Sequence, residues 1–104
     1  MLFRSIFKVE VTVRGPIDSK TGMVMNLADL KSFINHSIME VLDHKNLDKD
    51  VPYFKNTVST TENLAVFVWN QLASLITSPC QLFEVKIFET EKNIMVFRGE
   101  IDLP

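Results

Sequence analysis

Hydrophobic and polar residues alternate strictly near the start of the chain, which is the pattern of a strand with one buried face. The apolar positions are Phe7, Val9, Val11 and Val13, and the polar ones between them are Lys8, Glu10, Thr12 and Arg14. Gly15-Pro16 ends this strand, and residues 18–22 have the composition of a turn. The short apolar stretch 23–25 that follows is interpreted as a second, short strand.

Two helices are predicted next, each with an apolar stripe on one face. The first begins after Asn26, whose side chain can cap it, and ends near Leu42. Its stripe comprises Leu27, Leu30, Ile34, Ile38 and Val41. The second follows a capping box in which Ser59 covers the Glu62 amide. Its stripe comprises Leu64, Ala65, Val68, Trp69, Leu72 and Ile76. Residues 43–50 between the helices are predicted to form a polar loop anchored by Leu47.

The last third of the chain predicts a hairpin. Phe83, Val85 and Ile87 alternate with polar or outward positions, a turn spans residues 89–93, and residues 94–98 alternate again. The order strand, short strand, helix, helix, strand, strand indicates a single α+β domain over residues 1–104, with two helices on one face of an antiparallel sheet.

Composition restricts the possible functions. The chain has 104 residues, a net charge of -2 and no cluster of Lys and Arg, so nucleic acid is not expected as a partner. No apolar run reaches the roughly 18 residues of a membrane span, and the single cysteine, Cys80, excludes an intrachain disulfide. We expect a soluble, cytoplasmic protein without a membrane or nucleic-acid partner.

Several short stretches, in this order and spacing, carry a family resemblance. They read GMVMNLADLK at 22–31, LDHKNLD at 42–48, STTEN at 59–63 and FETEKNI at 88–94. The chain resembles the animal-type 6-pyruvoyltetrahydropterin synthases over almost everything after Phe7. The resemblance implies the tunnelling fold, ββααββ, whose subunits form hexameric rings with active sites between them. Bacterial enzymes that make 6-carboxytetrahydropterin share some of these elements and stay as an alternative.

The resemblance implies a lyase of tetrahydrobiopterin biosynthesis that eliminates triphosphate from 7,8-dihydroneopterin triphosphate. It assigns His44 to a proton relay with Asp43 as its charged partner, and Glu89 to anchoring the pterin and joining the relay. Histidine titrates nearest neutral pH, and a carboxylate can accept from two N–H groups in parallel. Without the resemblance, Asp43 and His44 would be interpreted as ordinary polar residues at the end of a helix. Glu89 would be interpreted as an ordinary solvent-exposed acid in a hairpin.

Thr60 and Thr61 are expected to contact the pterin edge through hydroxyl or backbone groups at a helix N-terminus. His36 has no role in the family pattern and is interpreted as a surface or interface residue. A substitute metal site from His36, His44 and Cys80 is not supported, because their spacing matches no ligand motif and zinc takes three or four protein ligands.

The family's zinc is held by three histidines in a segment before the long strand, where a catalytic cysteine also lies. Residues 1–6 read MLFRSI, so no zinc ligand and no such cysteine can be assigned to this chain, and the family's first strand has no counterpart. We expect no tightly bound zinc and no turnover from this chain by itself. Two hypotheses follow: an enzyme whose N-terminal part is absent from this sequence, or a non-catalytic form that only joins rings of intact chains.

Overall fold

A computed structural model describes residues 8–42, 46–89 and 93–100 of the chain. In this part, one strand is followed by a series of helical segments and then by two strands. In chain order they are β1 (Lys8–Arg14), α1 (Leu27–Ile34), a π-helical segment (Asn35–Met39), α2 (Glu40–Leu42), α3 (Leu47–Asp50), a 3-10 helix (Pro52–Lys55), α4 (Thr61–Ala73), β2 (Gln81–Phe88) and β3 (Ile94–Phe97).

The three strands form an antiparallel sheet in the order β1-β2-β3. The alternation predicted for β1 is confirmed, since its valines are half-buried and its polar residues are exposed. The terminal hairpin is confirmed as well, with Val85 opposite Phe97 and Phe88 opposite Ile94. The predicted strand at 23–25 is wrong: these residues form an irregular bend before α1.

A β-bulge changes which residues of β2 face the core. Thr12 pairs with Glu84 but Val13 pairs with Leu82, so Phe83 is the extra residue. Leu82 therefore packs against the core beside Val85. The predicted alignment of Phe83 with the buried residues of β2 is wrong.

Phe83 instead contacts two cations on the outer face of the sheet. The guanidinium carbons of Arg14 and Arg98 lie 4.9 Å and 5.5 Å from the centre of its ring. Arg98 also forms an ion pair with Glu84, with its Nη2 2.8 Å from Glu84 Oε2. The outer face around Phe83 thus carries two arginines stacked on the ring and an acid paired with one of them, while the opposite face of the sheet packs on α4.

The helix over residues 27–42 is capped as predicted, because Asn26 Oδ1 accepts from the amide of Ala28 at 2.8 Å. Leu27, expected in the apolar stripe, is 64% exposed, whereas Ile38 and Leu42 are fully buried. In the π-helical segment each hydrogen bond spans about one residue more than in an α-helix. The Gln71 side chain of α4 donates to the Ser37 carbonyl within this segment at 3.4 Å.

The core lies between α4, the inner face of the sheet and the helices before α4. Its buried members are Ile38, Leu42, Leu47, Val51, Phe54, Leu64, Ala65, Phe67, Val68, Leu72, Ile76, Val85 and Ile87. Leu47 is the anchor predicted from the sequence, but it begins a short helix, α3, instead of lying in a loop throughout. Ile76 is buried as expected, although α4 ends three residues before it at Ala73.

Within the part of the chain that the structure describes, none of the helices is both long and apolar enough to cross a bilayer.

Candidate functional site

A cleft opens where the first turn of α4 approaches the end of β2. Its volume is about 280 Å³. Its lining combines polar groups from the helix with the residue that follows β2, the residue that precedes β3 and the start of β3: Thr61, Glu62, Glu89, Asn93, Ile94 and Met95. The cleft therefore depends on the packing of α4 across β2 and β3.

One hydrogen bond joins the two sides of this cleft. The hydroxyl of Thr61 donates to Glu89 Oε2 at 3.2 Å, across a separation of 28 residues in sequence. Glu89 follows directly on β2, and its amide donates to the Asn93 carbonyl at 2.9 Å. The backbone of Glu89 is thus fixed by Asn93, and its carboxylate by the Thr61 hydroxyl of α4.

The helix end beside the cleft is capped by Thr60 and not by Ser59. Thr60 has extended backbone angles, and its Oγ1 accepts from the Asn63 amide at 3.1 Å. The cap thus lies one residue after the predicted position. Because Thr60 is the cap, Thr61 becomes the first helical residue and its side chain is available to Glu89.

This arrangement suits a ligand with adjacent N–H donors. A carboxylate offers about four lone-pair sites, of which the Thr61 hydroxyl uses one. The first amides of a helix lack intrahelical acceptors, so the start of α4 also presents donors at the cleft. A flat heterocycle with donors and acceptors along one edge matches these groups.

A family model described as 6-pyruvoyl tetrahydropterin synthase matches residues 6–100 of the chain. The chain belongs to the 6-pyruvoyl tetrahydropterin synthase family.

Relatives named 6-pyruvoyl tetrahydrobiopterin synthase share much of this sequence. The one from Poecilia reticulata is 63% identical over 95 residues, which cover 90% of this chain and 63% of that relative. The one from Drosophila melanogaster is 58% identical over 97 residues, which cover 93% of this chain and 58% of that relative. The one from Homo sapiens is 56% identical over 94 residues, which cover 90% of this chain and 64% of that relative. The chain thus spans less than two thirds of the length of these relatives.

A solved structure of Caenorhabditis elegans 6-pyruvoyl tetrahydropterin synthase superposes with a TM-score of 0.84 at 42% identity. The match covers 90% of this chain and 66% of that chain. The resemblance inferred from the sequence is thereby confirmed, as is the α+β class. The likeness is consistent with the tunnelling fold.

The structure describes part of the expected site of this synthase-family chain. Glu89 and Thr61 are in direct contact at the cleft, and Thr60 lies beside them as the helix cap. Asp43 and His44, the expected proton relay, lie outside the described residues. His36 is exposed, as expected, and its Nδ1 lies 3.0 Å from Glu40 Oε2. Asn63 ends the STTEN stretch, for which the resemblance assigns site roles to Thr60 and Thr61 alone, and it bonds to the segment that leads into Thr61.

The described residues do not fit the family's zinc. No three His, Cys, Asp or Glu side chains converge anywhere in residues 8–42, 46–89 and 93–100. Cys80 is half-buried, and its thiol donates to the Val24 carbonyl at 2.9 Å. No catalytic step is therefore assigned to a metal held by these residues.

Proposed function

We propose that this chain provides the pterin-binding part of a 6-pyruvoyl tetrahydropterin synthase, which eliminates triphosphate from 7,8-dihydroneopterin triphosphate. The observation that carries the proposal is the Thr61–Glu89 hydrogen bond at the mouth of the cleft. The names of the relatives support the 6-pyruvoyl product over the 6-carboxy alternative.

In this proposal Glu89 accepts from a ring N–H of the pterin and from its adjacent amino group. Two parallel bonds to a carboxylate fix a planar ligand in orientation as well as in position. The cleft volume of about 280 Å³ lies just below the roughly 300–1,000 Å³ of pockets that enclose drug-sized ligands. It therefore suits the bicyclic ring, while the triphosphate extends beyond it.

Neopterin, which lacks the triphosphate, tests this binding role by fluorescence titration. Since hydrogen bonds to charged groups contribute roughly 1.5–3 kcal/mol, Glu89→Gln should weaken binding by about 10- to 100-fold. Thr61→Val should weaken it by about fivefold, less than Glu89→Gln, because the carboxylate keeps its charge and loses only one of its hydrogen bonds. Glu10→Gln is the control, because this carboxylate lies on the outer face of β1 and pairs with Lys8. If neopterin fails to bind the wild-type chain, or if all three variants bind it equally, the proposed site is wrong.

We further propose that His44 and Asp43 move protons along the substrate side chain once the pterin is anchored. Positioned acid–base groups contribute roughly 10²- to 10⁴-fold to such steps. In the endogenous protein, His44→Ala should therefore lower triphosphate release, followed by ³¹P NMR, by at least about 100-fold, and Asp43→Asn should also lower it. The matched control is His36→Ala, since His36 is exposed and pairs only with Glu40 among the described residues. Equal rates for the two histidine variants would refute the relay.

We also propose that the chain assembles with other copies, as the family resemblance implies. β1 and β3 are the outer strands of the described sheet, and each leaves one row of backbone groups without a partner strand in that part of the chain. Such edges favour pairing with another sheet. Size-exclusion chromatography of this chain mixed with the Drosophila melanogaster relative should give a shared high-mass peak. Elution of the two as separate species would count against assembly.

The expectation of a cytoplasmic location stays a prediction, which fractionation of cells expressing the endogenous protein tests directly.

A further inference from the structure

Asn63 forms two hydrogen bonds with the segment that enters α4. Its amide donates to Thr60 Oγ1 at 3.1 Å, and its side-chain Nδ2 donates to the Val58 carbonyl at 2.8 Å. The Val58 carbonyl also accepts from the Thr60 amide at 2.9 Å. Val58 itself is 73% exposed, so packing of its own side chain does little to hold it in place.

The position of Thr61 follows from these bonds. Thr61 is joined directly to Thr60, and its hydroxyl must reach Glu89 Oε2 on another element to make its 3.2 Å bond. Hydrogen bonds weaken steeply as distance and angle depart from their optimum. A small rotation of the segment before Thr61 would therefore remove the bond that orients Glu89.

We propose that Asn63 is a positioning residue for the pterin site and acts through Thr61 on Glu89. Its side-chain amide fixes the Val58–Thr60 segment, which sets the direction from which the Thr61 hydroxyl approaches the carboxylate. The residue need not touch the ligand. This inference rests on the proposed pterin-binding function, because its consequence is the affinity of the cleft for the pterin ring.

The substitution Asn63→Asp separates positioning from helix stability. Aspartate has the same shape but replaces the Nδ2 donor with an oxygen, which repels the Val58 carbonyl. At the third position of α4 a negative charge interacts favourably with the helix dipole, so the helix itself should not be weakened. The control is Asn70→Asp, a matched change at an exposed position of the same helix.

The test combines neopterin titration with thermal unfolding of the 104-residue chain. Asn63→Asp should weaken neopterin binding by up to about fivefold, the effect expected for loss of the Thr61–Glu89 bond, with a melting temperature close to that of the wild type, whereas Asn70→Asp should leave neopterin binding unchanged. In a Thr61→Val background, Asn63→Asp should weaken binding by less than about twofold, because the bond it positions is already absent. Additive effects in the double variant would overturn the inference.

The outcomes separate this inference from the proposed function. If Asn63→Asp binds neopterin normally while Glu89→Gln binds it more weakly, the positioning role of Asn63 is refuted and the proposed pterin site is supported. Absence of neopterin binding by the wild-type chain would refute the pterin site. In that case NMR still tests positioning: the signals of the Thr61 amide and the Glu89 carboxyl should shift in Asn63→Asp and stay in place in Asn70→Asp, and unchanged signals would overturn it.

Discussion

Replacing Gly99 with alanine should destabilise the chain through a specific contact with Trp69. Gly99 has a φ of +85°, and a Cβ added to it would lie 2.8 Å from Trp69 Cζ2 and 3.3 Å from Cε2. The indole cannot move away freely, because it packs edge-on against Phe97 with ring centres 5.4 Å apart. The substitution therefore adds both backbone strain and a steric clash.

Comparison with a second glycine, Gly22, separates the loss in free energy of unfolding into backbone strain and steric clash. Left-handed backbone costs a non-glycine residue roughly 1–2 kcal/mol, and this applies equally to Gly22, which has a φ of +71° but open space where its Cβ would lie, with nothing within 4 Å. Overpacking costs roughly 1–3 kcal/mol more and applies to Gly99 alone. Gly99→Ala should therefore lower the free energy of unfolding by about 1–3 kcal/mol more than Gly22→Ala.

Urea denaturation of the two variants measures this difference, and both lose the same glycine from the unfolded chain, so that contribution cancels. For a domain of this size, each kcal/mol corresponds to roughly 4–8 °C in melting temperature. Trp69 is the only tryptophan, so its fluorescence reports on the contact directly. In a Trp69→Leu background the extra cost should disappear. Equal losses for Gly99→Ala and Gly22→Ala, with unchanged tryptophan emission, would refute the reasoning.

Three further predictions concern the charge of Glu100, the buried side chain of Leu72 and the outward-facing ring of Phe83. Backbone N–H donation from Arg98, with a smaller contribution from its charge, lowers the pKa of the exposed Glu100. The ionised carboxylate therefore stabilises the folded chain above the ordinary glutamate pKa of about 4.3, and this stabilisation is lost as the pH falls through the lowered pKa. In Glu100→Gln the melting temperature should therefore depend less on pH over that range. Leu72→Ala should cost about 2–5 kcal/mol in urea denaturation, because Leu72 is fully buried, whereas Leu75→Ala, at a 37% exposed position, should cost far less. Phe83→Ala should cost only about 1–2 kcal/mol, the value of two cation contacts, and a loss above about 3 kcal/mol would instead favour a core position.

Local interactions explain what could be predicted from the sequence. The alternation in β1, the Asn26 cap and the hairpin depend on residues that are close together in the chain, so their patterns are visible without the fold. Glu89 and Thr61 are identified through a family resemblance, which does not predict the contact between them. Neither composition nor periodicity distinguishes Glu89 from an ordinary acid at a hairpin turn.

Tertiary packing decided the features that local patterns could not. Phe83 faces outward because β1 pairs with β2 through a bulge, and a bulge depends on the partner strand as much as on the strand's own residues. The helix cap fell on Thr60, since three consecutive hydroxyl residues are all suitable caps by type and the packing of α4 selects among them.

The sequence by itself determined the long strand β1, the terminal hairpin, the two main helices and the family, because hydrophobic periodicity and motif order are properties of the chain. Only the tertiary structure brought Thr61 within 3.2 Å of Glu89 and placed a cleft beside them. The physical reason is that this contact joins residues 28 positions apart and exists only when α4 packs across the end of β2.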